Sequence, residues 1–299
     1  MSFCKFCLSP SQKFISDRND FEFNSKKKLL YWKCTNIKCG FVFVDPLPSE
    51  SEIKTYYQNY STHHKNYSKK FINPLSLFHK FLRRSEYKNL FISSKFLKIK
   101  VLDFGCGNGN LLDFLKEYGL KNLYGYDFDT KALEFSSNKG YNLFNSISQV
   151  KSNQPYDFIF LNHVIEHISD GEKQIAELLN LLNNDGCLII RTPNSSSFLA
   201  NIFNIYWRGW ETPRHLNIYN YYNINSIIGN SKIVKKYTSN LSFSGAYHES
   251  LRNIFMSNSF IIKFARHFFL PFFYLVASVL NLLFKNKGDE LCVILKKEV

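Results

Sequence analysis

Short apolar runs alternate along this chain with stretches whose apolar positions recur at helical spacing. Val101 and Leu102 lead through Asp103 and Phe104 into the turn Gly105-Cys106-Gly107-Asn108-Gly109, and a helical pattern runs from Leu111 to Tyr118. That order predicts a buried strand, a tight turn and a helix. Asn122 to Asp127 repeats the strand signal and ends in an acid, and Pro155 to Leu161 is a further strand pattern. Glu172 to Leu182 predicts a helix with Ile175, Leu178, Leu179 and Leu182 on one face. Asn184-Asp185-Gly186 then predicts a turn into a strand over Cys187 to Ile190. A helix is expected over Asn223 to Ser231, a strand from Lys232, and a last strand within Gly288 to Lys296. Strands alternating with helices imply an α/β fold with a mostly parallel, doubly wound sheet.

The two ends depart from this rhythm. Phe268 to Phe284 carries no charge over 17 residues and contains Pro271. A membrane span needs about 20 apolar residues, and a single crossing would part the last strand from its own sheet. Residues 250–285 are therefore expected to be a helical insertion that covers a pocket, forms a homodimer interface or dips into one leaflet. Arg252, Lys263, Arg266, Lys285 and Lys287 flank it and suit an anionic surface. At the other end, Cys4-x2-Cys7 and Cys34-x4-Cys39-Gly40 pair four thiols around the alternating segments Phe21 to Phe23 and Leu29 to Lys33. Four thiolates suit a tetrahedral structural zinc in a small ribbon of hairpin strands, and leave no open position for catalysis. The alternative is unpaired thiols in a floppy arm. Ser49-x-x-Glu52 reads as a capping box. It opens a lid-like segment with Tyr56, Tyr57, Tyr60, Tyr67, His63 and His64, then a basic amphipathic helix over Phe78 to Phe96. The expected domains are 1–48, 49–98 and 99–299.

Charge sharpens this division. The net charge of +14 is spread as +12 over residues 1–100, −5 over 101–200 and +7 over 201–299. Basic flanks around an acidic centre suit an anionic partner or a lipid surface. No apolar signal core opens the chain, and the cysteines outside the N-terminal pairs stand singly, so a reducing, cytoplasmic setting is expected.

The turn after Asp103 chooses between two ligand classes. A dinucleotide fingerprint places its glycines as G-x-G-x-x-G, with a pyrophosphate on the helix start. Here the third glycine, Gly109, comes one residue early. Asp103 would also repel a pyrophosphate, whereas it would attract the amino group of a methionine-like ligand. Asp127 stands where an acid accepts both ribose hydroxyls. The run from Val101 to Gly109, with Tyr124-Gly125-Tyr126-Asp127-Phe128-Asp129 after it, resembles the first two motifs of class I S-adenosylmethionine-dependent methyltransferases. The resemblance implies a Rossmann-like seven-stranded sheet whose last strand is antiparallel. It assigns S-adenosylmethionine to Asp103, Gly105, Cys106, Gly107, Asp127, Phe128, Asn162 and His163. The cysteine pairs with Phe41 to Ser49 and Tyr56-Tyr57-Gln58-Asn59-Tyr60 are similar to a subfamily with an N-terminal zinc ribbon, often tied to surface-polysaccharide and sugar modification.

The candidate chemistry lies beyond the third strand pattern, in Asn162-His163-Val164-Ile165-Glu166-His167. In one reading a histidine is the general base for an acceptor hydroxyl. His167 and His215 are the candidates, with Glu166 orienting the base. In another, His163, Glu166, His167 and a later histidine hold a divalent cation, although His163 in the first position disfavours an oxygen-loving ion. In the plainest reading the histidines merely cap a strand end. Asp185 to Asn194 and Glu211 to Asn220 resemble pocket segments of the same subfamily. Trp207, Arg208, Trp210, Glu211, Arg214 and His215 suit recognition of a polar ring. The expected function is O-methylation of a sugar, sugar nucleotide or glycan, with a small-molecule or glycan acceptor that is anionic. One alternative is an RNA methyltransferase using the zinc ribbon and basic arms, disfavoured because aromatics do not interleave with the basic strips. The other is a non-catalytic cofactor-binding scaffold.

Overall fold

The structure is a computed structural model that describes residues 2–16, 29–57, 87, 98–229, 231–240, 242–255 and 260–297. The chain divides into two compact units. One comprises residues 1–59, 163–177 and 190–298, the other residues 60–162, 178–189 and 299.

The second unit carries the strand–turn–helix repeat that the sequence predicts. Strand β5 (Lys100–Phe104) pairs in parallel with β6 (Asn122–Tyr126) and with β8 (Tyr156–Asn162), and β6 pairs in parallel with β7 (Asn142–Phe144). Val101, Leu102, Ile159 and Phe160 are fully buried. Helix α2 (Asn110–Glu117) buries Leu112 and Leu115, three apart and so on one face. Tyr87 packs its ring against Phe114 and Phe160.

The helix expected over Glu172 to Leu182 is Gly171–Asn180, here α3. The turn expected at Asn184 to Gly186 does not form. Strand β9 begins at Leu182 and runs without a break to Pro193. Asn183 donates its Nδ2 to Asp157 Oδ1 at 2.6 Å, which satisfies a polar side chain inside the strand. A Cβ at Gly186 would come within 3.0 Å of the Tyr156 carbonyl, so this glycine permits a close backbone approach rather than a turn.

In the first unit, β1 (Ser2–Phe3), β2 (Pro10–Ile15), β3 (Tyr31–Cys34) and β4 (Val42–Val44) form an antiparallel sheet. Its fifth strand comes from far along the chain: β10 (Asn217–Ile218) pairs with β4, Ile218 opposite Val42. The expected strand at Phe21 to Phe23 lies outside the described residues, as do Tyr60, His63, His64, Tyr67 and all of Phe78 to Phe96 except Tyr87. Helix α1 (Glu50–Tyr57) opens on the expected capping box, with the Ser49 amide donating to Glu52 Oε2 at 2.9 Å. The helix expected over Asn223 to Ser231 shortens to a 3-10 segment, Asn223–Ile227.

Strands β11 (Lys232–Ser239) and β12 (Glu290–Lys296) are antiparallel neighbours, with Ser239 opposite Glu290. Between them lie α4 (Phe243–Phe255) and α5 (Phe260–Phe284). The insertion thus begins earlier than residue 250 and holds two helices. The larger sheet has seven strands in the order β11-β12-β9-β8-β5-β6-β7, a mixed Rossmann-like sheet. Among the described residues no helix is long and apolar enough to cross a membrane.

Candidate active site

The glycine-rich turn belongs to the second unit. Gly105, Gly107 and Gly109 all have left-handed backbones, with φ of 81°, 50° and 78°. Gly105 and Cys106 both donate their amides to the Tyr126 carbonyl, at 2.7 and 2.9 Å. Gly107 donates its amide to Asp127 Oδ2 at 2.8 Å, and Asp129 donates to Asp127 Oδ1 at 2.9 Å. Asp127 therefore shapes two loops at once. Gly109 has a separate reason to be glycine: a Cβ there would stand 2.5 Å from Ser136 Oγ, a fully buried side chain. The Cys106 side chain is buried, its Sγ 3.8 Å from the Gly107 carbonyl.

Asp103 and Asp127 are both buried. Burial, helped by the charge of Asp127, pushes the Asp103 carboxyl up to about 8. At the end of β8, Asn162 Oδ1 is buried and makes no hydrogen bond among the described residues. Phe128, next to Asp127, keeps 53% of its surface exposed. The turn thus offers two buried acids that disfavour each other, an unsatisfied acceptor and an open aromatic face. A ligand bearing a cation and hydroxyl donors would satisfy all of them.

The histidine cluster belongs to the first unit. His163 has a left-handed backbone, φ 52°, and its amide donates to the Arg191 carbonyl at 2.8 Å. Such strain on a non-glycine residue needs support, and the ring supplies it. His163 Nδ1 stands 3.4 Å from Glu166 Oε1, and Nε2 stands 3.2 Å from Glu290 Oε2. Arg191 donates to the other Glu290 oxygen at 2.9 Å. Burial alone would lower the His163 imidazole, but the two glutamates outweigh it and raise it to about 10. Burial likewise opposes the Glu166 carboxylate, while His163 and the neighbouring histidines hold it below its usual range. Glu166 Oε2 accepts the Thr192 hydroxyl at 3.0 Å, and Oε1 has no well-formed hydrogen bond.

His167 is half-buried in the 3-10 turn Ile165–His167. Its Nδ1 lies 3.1 Å from the Arg214 carbonyl and 2.8 Å from the Tyr57 hydroxyl. A carbonyl can only accept, so Nδ1 carries the proton and Nε2 is left with a bare lone pair. Burial, with His215 adding to it, lowers this imidazole to about 4. His215 is buried and donates Nδ1–H to the Gly209 carbonyl at 2.7 Å, with Nε2 3.3 Å from Glu211 Oε2. Glu211 also binds Arg214 Nε at 3.1 Å and pairs with Arg208. Burial opposes its charge, and Arg208 and His215 overcome that opposition, holding the carboxyl well below its usual range. Glu166, His167 and His215 each offer one ligand atom, and these atoms lie within 4.8 Å of one another.

The open aromatic platform expected near residue 210 is corrected by burial. Trp207 is completely buried and Trp210 nearly so, edge to face at 5.0 Å. Their indole N–H groups bond Asp289 Oδ1 and the Asn204 carbonyl. Arg214 is buried too. These side chains hold the loop that carries His215 and offer no face to a sugar ring. Sequence reasoning placed Arg191 and Thr192 in a pocket segment without a role, and it did not find Glu290, because nothing local ties Glu290 to His163, 127 positions away. Tyr57 was visible as one of several tyrosines, and only the fold brings its hydroxyl to His167.

The four N-terminal cysteines converge in the same unit. Cys4 Sγ lies 3.7 Å from Cys39 Sγ, and Cys7 Sγ 3.4 Å from Cys34 Sγ, with all four sulfurs within 4.8 Å of one another. Tetrahedral Zn–S bonds of about 2.3 Å imply sulfur–sulfur distances of about 3.8 Å. Burial pushes the Cys34 thiol up to about 11, and that of Cys39 further up.

A protein-family model described as a methyltransferase domain matches residues 42–229. The ubiquinone biosynthesis O-methyltransferase of Rickettsia canadensis (strain McKiel) is 30% identical over 134 residues, 42% of this chain and 55% of that protein. The juvenile hormone acid O-methyltransferase of Bombyx mori is 27% identical over 134 residues, 37% of this chain and 45% of that protein. The chain thus spans about half the length of the curated relatives it matches. The solved structure of coclaurine N-methyltransferase bound to N-methylheliamine and SAH aligns with a TM-score of 0.52 at 16% identity, over 82% of this chain and 80% of that one. That is a likeness of fold.

Proposed function

This chain belongs to the methyltransferase-domain family, and from that premise we propose that it transfers the methyl group of S-adenosylmethionine to a hydroxyl oxygen of a small-molecule acceptor. When bound, S-adenosylmethionine supplies an electrophilic methyl group on a sulfonium. The residues of the turn fit such a ligand. Asp103 and the unsatisfied Asn162 Oδ1 would take its ammonium, Asp127 its ribose hydroxyls, and Phe128 would lie against its adenine. The two relatives whose names state an O-methyltransferase support oxygen as the atom methylated.

In the proposed step the acceptor oxygen forms its bond to the methyl carbon as the S–C bond breaks. The acceptor proton passes to His167 Nε2. The observation that carries this reading is the Arg214 carbonyl at His167 Nδ1, which fixes the tautomer with Nε2 bare. A base lowered to about 4 is weak, yet it is unprotonated at neutral pH. It also suffices, because the oxygen becomes strongly acidic as it gains the methyl group. Glu166 supports the cluster through Thr192 and His163, while His215, closed off by Glu211 and the Gly209 carbonyl, is a positioning residue. A sugar or sugar nucleotide remains the acceptor class suggested by the cysteine pairs.

The test is transfer of labelled methyl groups from S-adenosylmethionine into fractionated cell extract by the purified chain, with and without ribonuclease. His167→Ala should lower kcat by roughly 10²- to 10⁴-fold while S-adenosylmethionine still binds. Unchanged turnover would remove His167 from the role. Loss of activity with a chelator, restored by a divalent ion, would make Glu166, His167 and His215 ligands instead. Label removed by ribonuclease would move the acceptor to RNA.

We further propose a structural zinc at Cys4, Cys7, Cys34 and Cys39, supported by the convergence of the four sulfurs and by the electrostatic relief a cation gives crowded thiolates. Elemental analysis of the purified chain should find one zinc per molecule, and none after Cys34→Ser with Cys39→Ser. Metal-free protein with an unchanged melting curve would sink this assignment.

A further inference from the structure

We propose that the open face of α5 docks on an anionic bilayer surface, lying in the interface without crossing it. From Phe268 to Phe284 the helix carries no charge, and one side of that stretch is packed. Leu270 and Ala277 are buried, the Phe273 ring meets Tyr247 at 5.4 Å, and Asn281 donates to the Thr238 carbonyl at 3.0 Å. On the opposite side Phe268, Phe272, Leu275, Val279, Leu282 and Leu283 are 47–79% exposed. At helical spacing these six fall in one stripe roughly 100° wide. At the end of α4, Phe255 adds a half-exposed ring. A continuous apolar stripe of this size on a protein surface marks an interaction site.

Topology fixes how a bilayer would be met. The insertion leaves the sheet after Ser239 and returns at Glu290, its direct strand partner. An odd number of crossings would separate those two residues by a membrane. Two crossings need a second span, and the 13 residues of α4 reach only about 20 Å against a hydrocarbon core of about 30 Å. The stripe can therefore meet a bilayer only from one side.

Charge selects the bilayer over a second copy of the chain. From Ser250 to Gly288 the sequence has Arg252, Lys263, Arg266, Lys285 and Lys287 and no acid. Arg252 is paired with Glu249 at 3.1 Å, and in the sequence the other four cations bracket the stripe, two before Phe268 and two after Phe284. In an antiparallel pair of α5 helices, the chain positions of Lys285 and Lys287 would fall at the same end as those of Lys263 and Arg266 of the other copy. In a parallel pair each would meet itself. No carboxylate in the segment relieves either arrangement, whereas lipid phosphates match both ends while the stripe enters the acyl boundary.

The test is co-sedimentation of the full chain with vesicles of phosphatidylcholine alone and of equal parts phosphatidylcholine and phosphatidylglycerol. Binding to the anionic vesicles is expected, weakening with salt, with little binding to phosphatidylcholine alone. Lys285→Gln should weaken it about fivefold, and Leu275→Glu should abolish it with the thermal melt unchanged. Binding to neither vesicle overturns the proposal. So does a concentration-dependent dimer that Leu275→Glu dissociates, which would assign the stripe to a second copy. A melt lowered by Leu275→Glu without vesicle binding would show instead that the chain covers its own stripe.

Discussion

The glycine-rich turn and the histidine cluster handle buried charge in opposite ways. At the turn, Asp103 and Asp127 are both buried and like-charged, and among the described residues the backbone amides of Gly107 and Asp129 bind Asp127. Burial and mutual repulsion keep Asp103 protonated up to about 8. In the cluster, Glu166 and Glu290 face the His163 imidazolium, Arg191 binds Glu290, and Glu211 is matched by Arg208 and Arg214. The cluster neutralises itself from within, whereas the turn is left short of a cation. A buried site that lacks its counter-charge is built for a charged ligand, and one that supplies its own is built to hold geometry.

The sharpest way to break this contrast is to remove one acid from each region. Glu166→Gln leaves the His163 charge with Glu290 as its remaining carboxylate and should destabilise the protein by about 1 to 2 kcal/mol, less than a fully buried pair would lose because solvent screens an imidazole that is 42% exposed. The Glu166 carboxyl lies below its usual range, so this contribution is present above that range and is lost as pH falls through it. Denaturant melts of the variant would show it. A neutral result would mean that Glu166 contributes no net charge compensation.

Asp103→Asn should act with the opposite sign on the ligand-free protein. Between the ordinary 3.8 and about 8, folded Asp103 holds a proton that the unfolded chain releases. Stability therefore falls as pH rises through that window, and the variant should lose this slope. S-adenosylmethionine should meanwhile bind roughly 10- to 100-fold more weakly, the value of a hydrogen bond to a charged group. Calorimetric titration of the variant beside its pH-dependent melts separates the two effects. Unchanged affinity would sink the role of Asp103 as the ligand's counter-charge.

The same contrast explains what could be read from the sequence. The turn is built from consecutive residues, Asp103 to Gly109, and its one distant partner, Asp127, closes the next strand. Strand ends and glycine spacing sufficed to find it. The cluster draws Tyr57, His163 to His167, Arg191, Thr192, Arg214, His215 and Glu290 from separate elements. In sequence these form separate short groups, His163 to His167, Arg191-Thr192 and Arg214-His215, and no local pattern joins one group to another. Leu182 misled because it continues the helical phase of Ile175, Leu178 and Leu179 while already standing in β9, and the polar run after it is satisfied by Asp157. Trp207 and Trp210 looked like a ring-binding surface because composition does not report burial. The pairing of β10 with β4 joins residues more than 170 apart, a link that no local pattern encodes.

The smallest effect is the most informative about the base. Two groups touch His167 Nδ1, and only one is indispensable to the proposed tautomer. If the Arg214 carbonyl takes the Nδ1 proton, the Tyr57 oxygen merely shares it, and Tyr57→Phe removes about 1 kcal/mol or less. Turnover should then fall less than about fivefold, with KM unchanged. The acidic limb of the rate profile should also stay in place. His167 is bare above about 4, so activity should persist as pH falls below the ordinary histidine value and decline only near that lower point. If instead the Tyr57 hydroxyl donates to Nδ1, the proton sits on Nε2 and His167 is no base in the resting protein. Tyr57→Phe would then release the tautomer and raise turnover. A rate increase in the variant would thus overturn the assignment of His167, and a small decrease at constant KM would leave the Arg214 carbonyl as the group that holds it.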